Sequence, residues 1–145
     1  MKKAIIRALF ASATILSLCL SACSKDDNTP DTPADDPVIT NGVVLVQGIF
    51  SGNRNYQVMG TAKVIEQGGQ KVLRFENFSS SNGPDLKVYL AADLRASSFI
   101  SLGALKTLSG NQNYALSGMP DLDRYPFALV WCEQFGALFG SANLK

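Results

Sequence analysis

Apolar side chains recur at every second position through most of the stretch from residue 43 to residue 144, and glycine, asparagine and proline interrupt them at short intervals. That alternation is the signature of short strands, each with one face turned to a core. It predicts strands over 43–50 and 56–67, then a hairpin turn at Gly68-Gly69 into a third strand over 71–78. There Leu73, Phe75 and Asn77 alternate with Arg74 and Glu76, as in a half-buried antiparallel strand. Residues 79–85 read as a loop and 86–92 as a strand with Leu86, Val88 and Leu90 on one side. A turn of helix is expected within 91–98, and an apolar segment over 99–108. Ser109-Gly110-Asn111-Gln112-Asn113 reads as a turn into a short strand, 114–116, and 119–126 as a loop. Residues 127–133 are apolar on both faces, as a covered central strand would be, and 137–144 complete the set. The expected fold is all-β, a single antiparallel β-sandwich or barrel-like domain over 43–145.

The N-terminus has a different character. Lys2, Lys3 and Arg7 precede an apolar run, 8–20, of signal-peptide length and too short for a permanent membrane span. The run ends in Leu20-Ser21-Ala22-Cys23, which resembles the lipobox of bacterial lipoproteins. The resemblance implies cleavage after residue 22 and acylation of Cys23, whose chains would hold the protein on a lipid membrane at about 0.8 kcal/mol per buried CH₂. Ser24, rather than Asp, at the next position implies transfer to the outer membrane, and Ser24-Lys25-Asp26-Asp27 is similar to a surface-export signal. Residues 24–40, rich in Asp and Pro and poor in apolar side chains, make 23–42 an expected solvated tether.

Processing alters the counts that bear on function. Cys19 would leave with the signal and Cys23 would carry lipid, so Cys132 is left without an intramolecular partner. Of 13 Lys and Arg, three leave with the signal; the remaining 10 face 12 Asp and Glu, a balance that suits no nucleic-acid binder. The chain has 0 His, which excludes a Ser-His-Asp triad, a Cys-His pair and histidine-ligated zinc, and speaks against a stand-alone enzyme.

Several motifs in fixed order carry a second resemblance. Gly48-x-Phe50, Val58-x-Gly60-x-Ala62, Leu73-x-Phe75-x-Asn77-Phe78, Asn82-Gly83-Pro84-Asp85-Leu86-x-Val88-Tyr89-Leu90, Leu102-Gly103-x-Leu105-Lys106, Gly110-x-Gln112-x-Tyr114 and Trp131-Cys132-x-x-Phe135-x-x-x-Phe139-Gly140-x-Ala142 together resemble the DM-thirteen domain. That resemblance covers nearly all of the folded part. It implies a role in electron transfer, in which the cysteine of the Trp-Cys motif, Cys132 here, acts as a free redox thiol or as a ligand to a prosthetic group such as haem.

On a strand, Ala128, Val130 and Cys132 share one face and Phe127, Leu129 and Trp131 the other. Cys132 then reads in two ways: as a buried, inert small hydrophobe, or as a partly open thiol with a cation such as Arg74 or Arg124 nearby. Glu133 would point away from it. A haem on Cys132 would need Met59, Met119 or water opposite, and a pocket large enough in a small domain. A redox thiol without a resolving cysteine would need an external thiol or a second molecule. Asn82-Gly83-Pro84-Asp85 reads as a tight turn, or else places Asp85 as a metal contact with Asn77, Asp121 or Asp123. Tyr56, Tyr89, Tyr114 and Tyr125 either pack at the core and rim or form a sugar-stacking patch. Two functions remain open: a redox lipoprotein centred on Cys132, and a non-catalytic ligand-binding or adhesion module in which Cys132 is core.

Overall fold

The computed structural model describes residues 34–145; the signal segment, Cys23 and the tether as far as residue 33 lie outside the described residues. Nine strands follow in chain order: β1 Ala34–Asp35, β2 Val43–Gly52, β3 Val58–Gln67, β4 Gln70–Ser80, β5 Leu86–Ala91, β6 Phe99–Ala104, β7 Ser109–Leu116, β8 Phe127–Cys132 and β9 Ala137–Asn143. They form one sheet in the order β1-β7-β4-β3-β2-β9-β8-β5-β6. Every pairing is antiparallel except that of the two-residue β1 with β7. The sheet curls into a nearly closed barrel, in agreement with the all-β expectation.

The alternation read from the sequence decides which side chains fill the barrel. Phe50, Val58, Ala62, Val64, Leu73, Phe75, Phe78, Val88, Leu90 and Phe139 all belong to one buried cluster. Phe50, Phe75 and Phe78 pack ring against ring, with centroids 4.8 to 5.4 Å apart. Truncating a phenylalanine in such a site costs about 3–5 kcal/mol, so these rings dominate the packing. The outer face of β8 is covered as well: Leu129 is buried with Tyr89 and Ala91, and Phe127, Trp131 and Leu138 lie against them.

Four expectations need correction. In β4 the alternation breaks after Glu76, because Asn77 takes φ 49° and turns outward, placing Phe78 inside. Opposite this bulge stands Gly60, whose φ of +117° and closeness to Glu76 O, 2.8 Å from where a Cβ would sit, leave no room for a side chain. Residues 109–113 are strand rather than turn, because Gln112, Tyr114 and Leu116 alternate inward. The chain instead turns over 105–108, where the buried Gln112 amide bonds both Thr107 N and Thr107 O. No helical turn forms in 91–98; the Asp93 carboxylate takes the N–H groups of Arg95 and Ser97, and Ala96 has φ 51°.

The fourth concerns the tether. Its last part, residues 34–42, is laid along the barrel as a strap. Arg74 is only 2% exposed although it lies on the outer face of β4. Its guanidinium donates to Pro37 O at 3.1 Å, Asn113 Oδ1 at 2.8 Å and Glu76 Oε1 at 3.0 Å. Asp36 accepts from Lys106 Nζ at 2.6 Å and Asn113 N at 2.7 Å. A polar composition thus still finds a docking place when its acceptors meet a buried arginine fork.

Candidate functional site

Cys132 is the last residue of β8, between Leu86 of β5 and Ala137 of β9 in register. Its side chain joins Ala128 and Val130 in the barrel core and is 0% exposed. The expected division of faces therefore holds, with Leu129 and Trp131 on the outside. The sulfur is not surrounded by hydrocarbon alone: Sγ donates to the carbonyl oxygen of Pro84 at 2.8 Å.

That carbonyl belongs to the Asn82-Gly83-Pro84-Asp85 loop, so two motifs 48 residues apart meet as the halves of one site. Gly83 allows the loop to sit close on the core, since a Cβ there would lie 2.5 Å from the Phe139 ring. Asp85 takes φ 54°, a left-handed conformation that aspartate tolerates. Its carbonyl accepts from Glu133 N at 3.1 Å, so successive carbonyls, Pro84 and Asp85, are bonded by successive residues, Cys132 and Glu133. Pro84 and Asp85 are themselves exposed, which puts the sealed thiol one peptide layer beneath the surface.

Charged groups converge on the outer side of this layer. Lys87 Nζ lies 2.7 Å from Asp85 Oδ1 and 3.9 Å from Glu133 Oε2. The hydrogen bond to Asp85, aided by the nearby Glu133 carboxylate, raises the Lys87 pKa, so the ammonium is fully charged at neutral pH. Tyr89 Oη donates to Glu133 Oε1 at 2.5 Å, and its ring stacks on Phe99 with centroids 4.1 Å apart. Burial, and then the Glu133 carboxylate, push the Tyr89 pKa up and keep the phenol protonated. Glu133 therefore faces away from the thiol, as expected, and serves the outer network.

The other expected contributors are dispersed. Arg74 is committed to the strap, and Arg124 lies over the Tyr125 ring, 5.3 Å from its centroid. Met59 and Met119 are exposed, on β3 and in a loop, whereas Cys132 is inside the barrel. Haem does not fit these residues: the thiol that would ligate iron is sealed and hydrogen-bonded, and neither methionine shares its interior. Asp85 pairs with Lys87, Asn77 N bonds Asn111 Oδ1, and Asp121 caps the turn at Asp123 and Arg124. Among the described residues no three His, Cys, Asp or Glu side chains gather as a metal site. The tyrosines make no common patch: Tyr89 and Tyr114 are buried, Tyr56 stacks on Phe139 and Tyr125 packs against the core. In the sequence, alternation with Leu86 and Val88 puts Lys87 on the outer face and says nothing of its partners, and no local signal places Pro84 over Cys132.

The fold and this site define a small β-barrel domain with one free cysteine among its described residues, held under a loop carbonyl. The chain belongs to the family described as Electron transfer DM13, whose model matches residues 50–144. The match takes in both halves of the site and leaves out the strap and the first part of β2. No match was found among curated proteins or among solved structures.

Proposed function

We propose that the protein is a cell-envelope lipoprotein, held on the outer membrane through acylated Cys23, whose domain takes part in electron transfer with the Cys132 thiol as its redox group. Membership of an electron-transfer family supports the general role. The observation that carries the assignment to Cys132 is its bond to the carbonyl of an exposed residue, which leaves a sealed thiol one loop away from solvent. With no second cysteine among the described residues to resolve it, the thiol exchanges with an external disulfide: the Cys132 thiolate attacks one sulfur, a mixed disulfide forms, and the other sulfur leaves as thiolate.

Equilibration of folded protein with oxidised glutathione, read by intact mass, tests this. One adduct on the wild type and none on Cys132→Ala is expected; a folded protein that stays unmodified at every glutathione ratio overturns it. The full burial of Cys132 favours a second reading, a non-catalytic ligand-binding or adhesion module in which the thiol is core packing, and that negative result is the one it requires.

A further inference from the structure

A short series of polar contacts joins the thiol to the loop above it. Cys132 Sγ and Glu133 N hold the carbonyls of Pro84 and Asp85 from below, and Lys87 Nζ ties the Asp85 carboxylate to that of Glu133 from above. Tyr89 Oη, bonded to Glu133 Oε1, fixes the carboxylate in place. Gly83 alone lets the loop rest on Phe139. Pro84 and Asp85 are exposed, so their carbonyls would exchange a protein donor for water if the loop lifted. Leu86, the next residue, is buried and paired with Cys132 in β5, which confines such a movement to residues 82–85.

We propose that the 82–85 loop is a gate over Cys132, and that Lys87 is its latch, a positioning residue that controls access to the thiol without touching it. This rests on the redox reading of Cys132 and states how a buried thiol is reached: by local opening rather than by unfolding of the barrel. The latch is ionic and partly exposed, so its contribution is modest and falls with salt.

The test is alkylation of the native protein by iodoacetamide, in which sulfur displaces iodide, followed by intact mass at increasing sub-denaturing urea. If the gate operates, the wild-type rate exceeds what global unfolding allows and changes little with urea, since a small opening exposes little surface. Lys87→Met then reacts about 3-fold faster, the size expected for loss of a partly exposed ion pair. High salt accelerates the wild type to a similar degree and leaves Lys87→Met unchanged. Gly83→Ala, whose methyl would press on Phe139, reacts at least about 10-fold faster, because displacing a closely packed loop outweighs losing one ion pair. Lys106→Met, at the strap, reacts at the wild-type rate. A urea dependence equal to that of global unfolding, or variant rates that merely follow each variant's stability, overturns the gate. Fast alkylation with no glutathione adduct keeps the gate and removes the redox role, so the two failures are distinguishable.

Discussion

Arg74 donates to the carbonyl oxygen of Pro37 at 3.1 Å, across 37 residues of sequence, and so a buried charge on the barrel wall is covered by the end of the acidic tether. Replacing Arg74 leaves Asn113 Oδ1 without its donor and Pro37 O with only the Asn113 Nδ2 bond at 3.1 Å. Arg74→Met is expected to destabilise the domain by about 2–3 kcal/mol, as for charge-assisted hydrogen bonds lost from a mostly buried site. The amides of Asp36 and Asn113, which bond Asn111 O and Asp36 Oδ2, are expected to exchange faster by hydrogen-exchange mass spectrometry. Arg74→Lys should not restore protection, since one ammonium cannot span the fork's acceptors.

Burial alone would make Cys132→Ser worse than Cys132→Ala, because a buried hydroxyl without a partner is costly. Pro84 O changes the order: the serine hydroxyl keeps an acceptor that alanine leaves bare. Cys132→Ser is expected to be more stable than Cys132→Ala by about 0.5–1 kcal/mol in urea denaturation. Alanine ahead of serine would mean that the carbonyl does not accept from this position.

Alkaline stability should reveal two buried phenols. Burial raises the Tyr114 pKa to about 12, and burial together with Glu133 raises that of Tyr89 further. In the unfolded chain both ionise near 10. Their contribution is thus complete below pH 10 and is lost as pH rises through the folded values, because the native state then holds more protons than the unfolded one. Thermal melts should show the midpoint falling above pH 10, and Tyr114→Phe should flatten that fall. A midpoint independent of pH up to 11.5, roughly the range these pKa values span, would contradict it.

At low pH the strap is the part to watch. The hydrogen bond from Lys106 depresses the Asp36 pKa, and that from Lys63 depresses the Glu76 pKa. A depressed carboxylate stabilises the fold above its unfolded pKa, near 4, and that contribution disappears as pH falls through the folded value. Amide exchange at Asn113, corrected for intrinsic rates, should therefore lose protection below pH 4 before the core of β8 does.

The bulge between β3 and β4 gives a sharp contrast. Gly60→Ala puts a methyl against backbone at φ +117° and is expected to cost at least about 2 kcal/mol. Asn77→Gly, at φ 49° and exposed, should change stability by less than about 1 kcal/mol in the same denaturation experiment.

Strands were legible wherever side chains alternate without interruption, as in Leu86, Val88 and Leu90 or Ala128, Val130 and Cys132. Period two alone groups Cys132 with Ala128 and Val130 on one face of β8, but because both faces are apolar it leaves the burial of the thiol to the structure. The same rule failed at Asn77, because one extra residue in a bulge reverses the faces and leaves no mark except a glycine on the partner strand. The rule extends to Gln112, where a polar residue alternates inward with Tyr114 and Leu116 because its amide serves the 105–108 turn, so that polarity there does not mark a turn. Arg74 reads as solvated because its cover comes from a segment rich in Asp and Pro and poor in apolar side chains. Pro84 over Cys132 had no local signal of any kind, since register between β5 and β8 brings the two together and neither motif names the other.

β2 lies between β3 and β9, and both backbone groups of Lys145 are bonded to Gln47 at 3.0 Å. Half of the wall therefore waits for the segment after residue 137 to arrive. A growing chain that lacks it leaves β2 and β8 each with an unsatisfied edge and Phe139 missing from the core, so folding is deferred until synthesis reaches that segment.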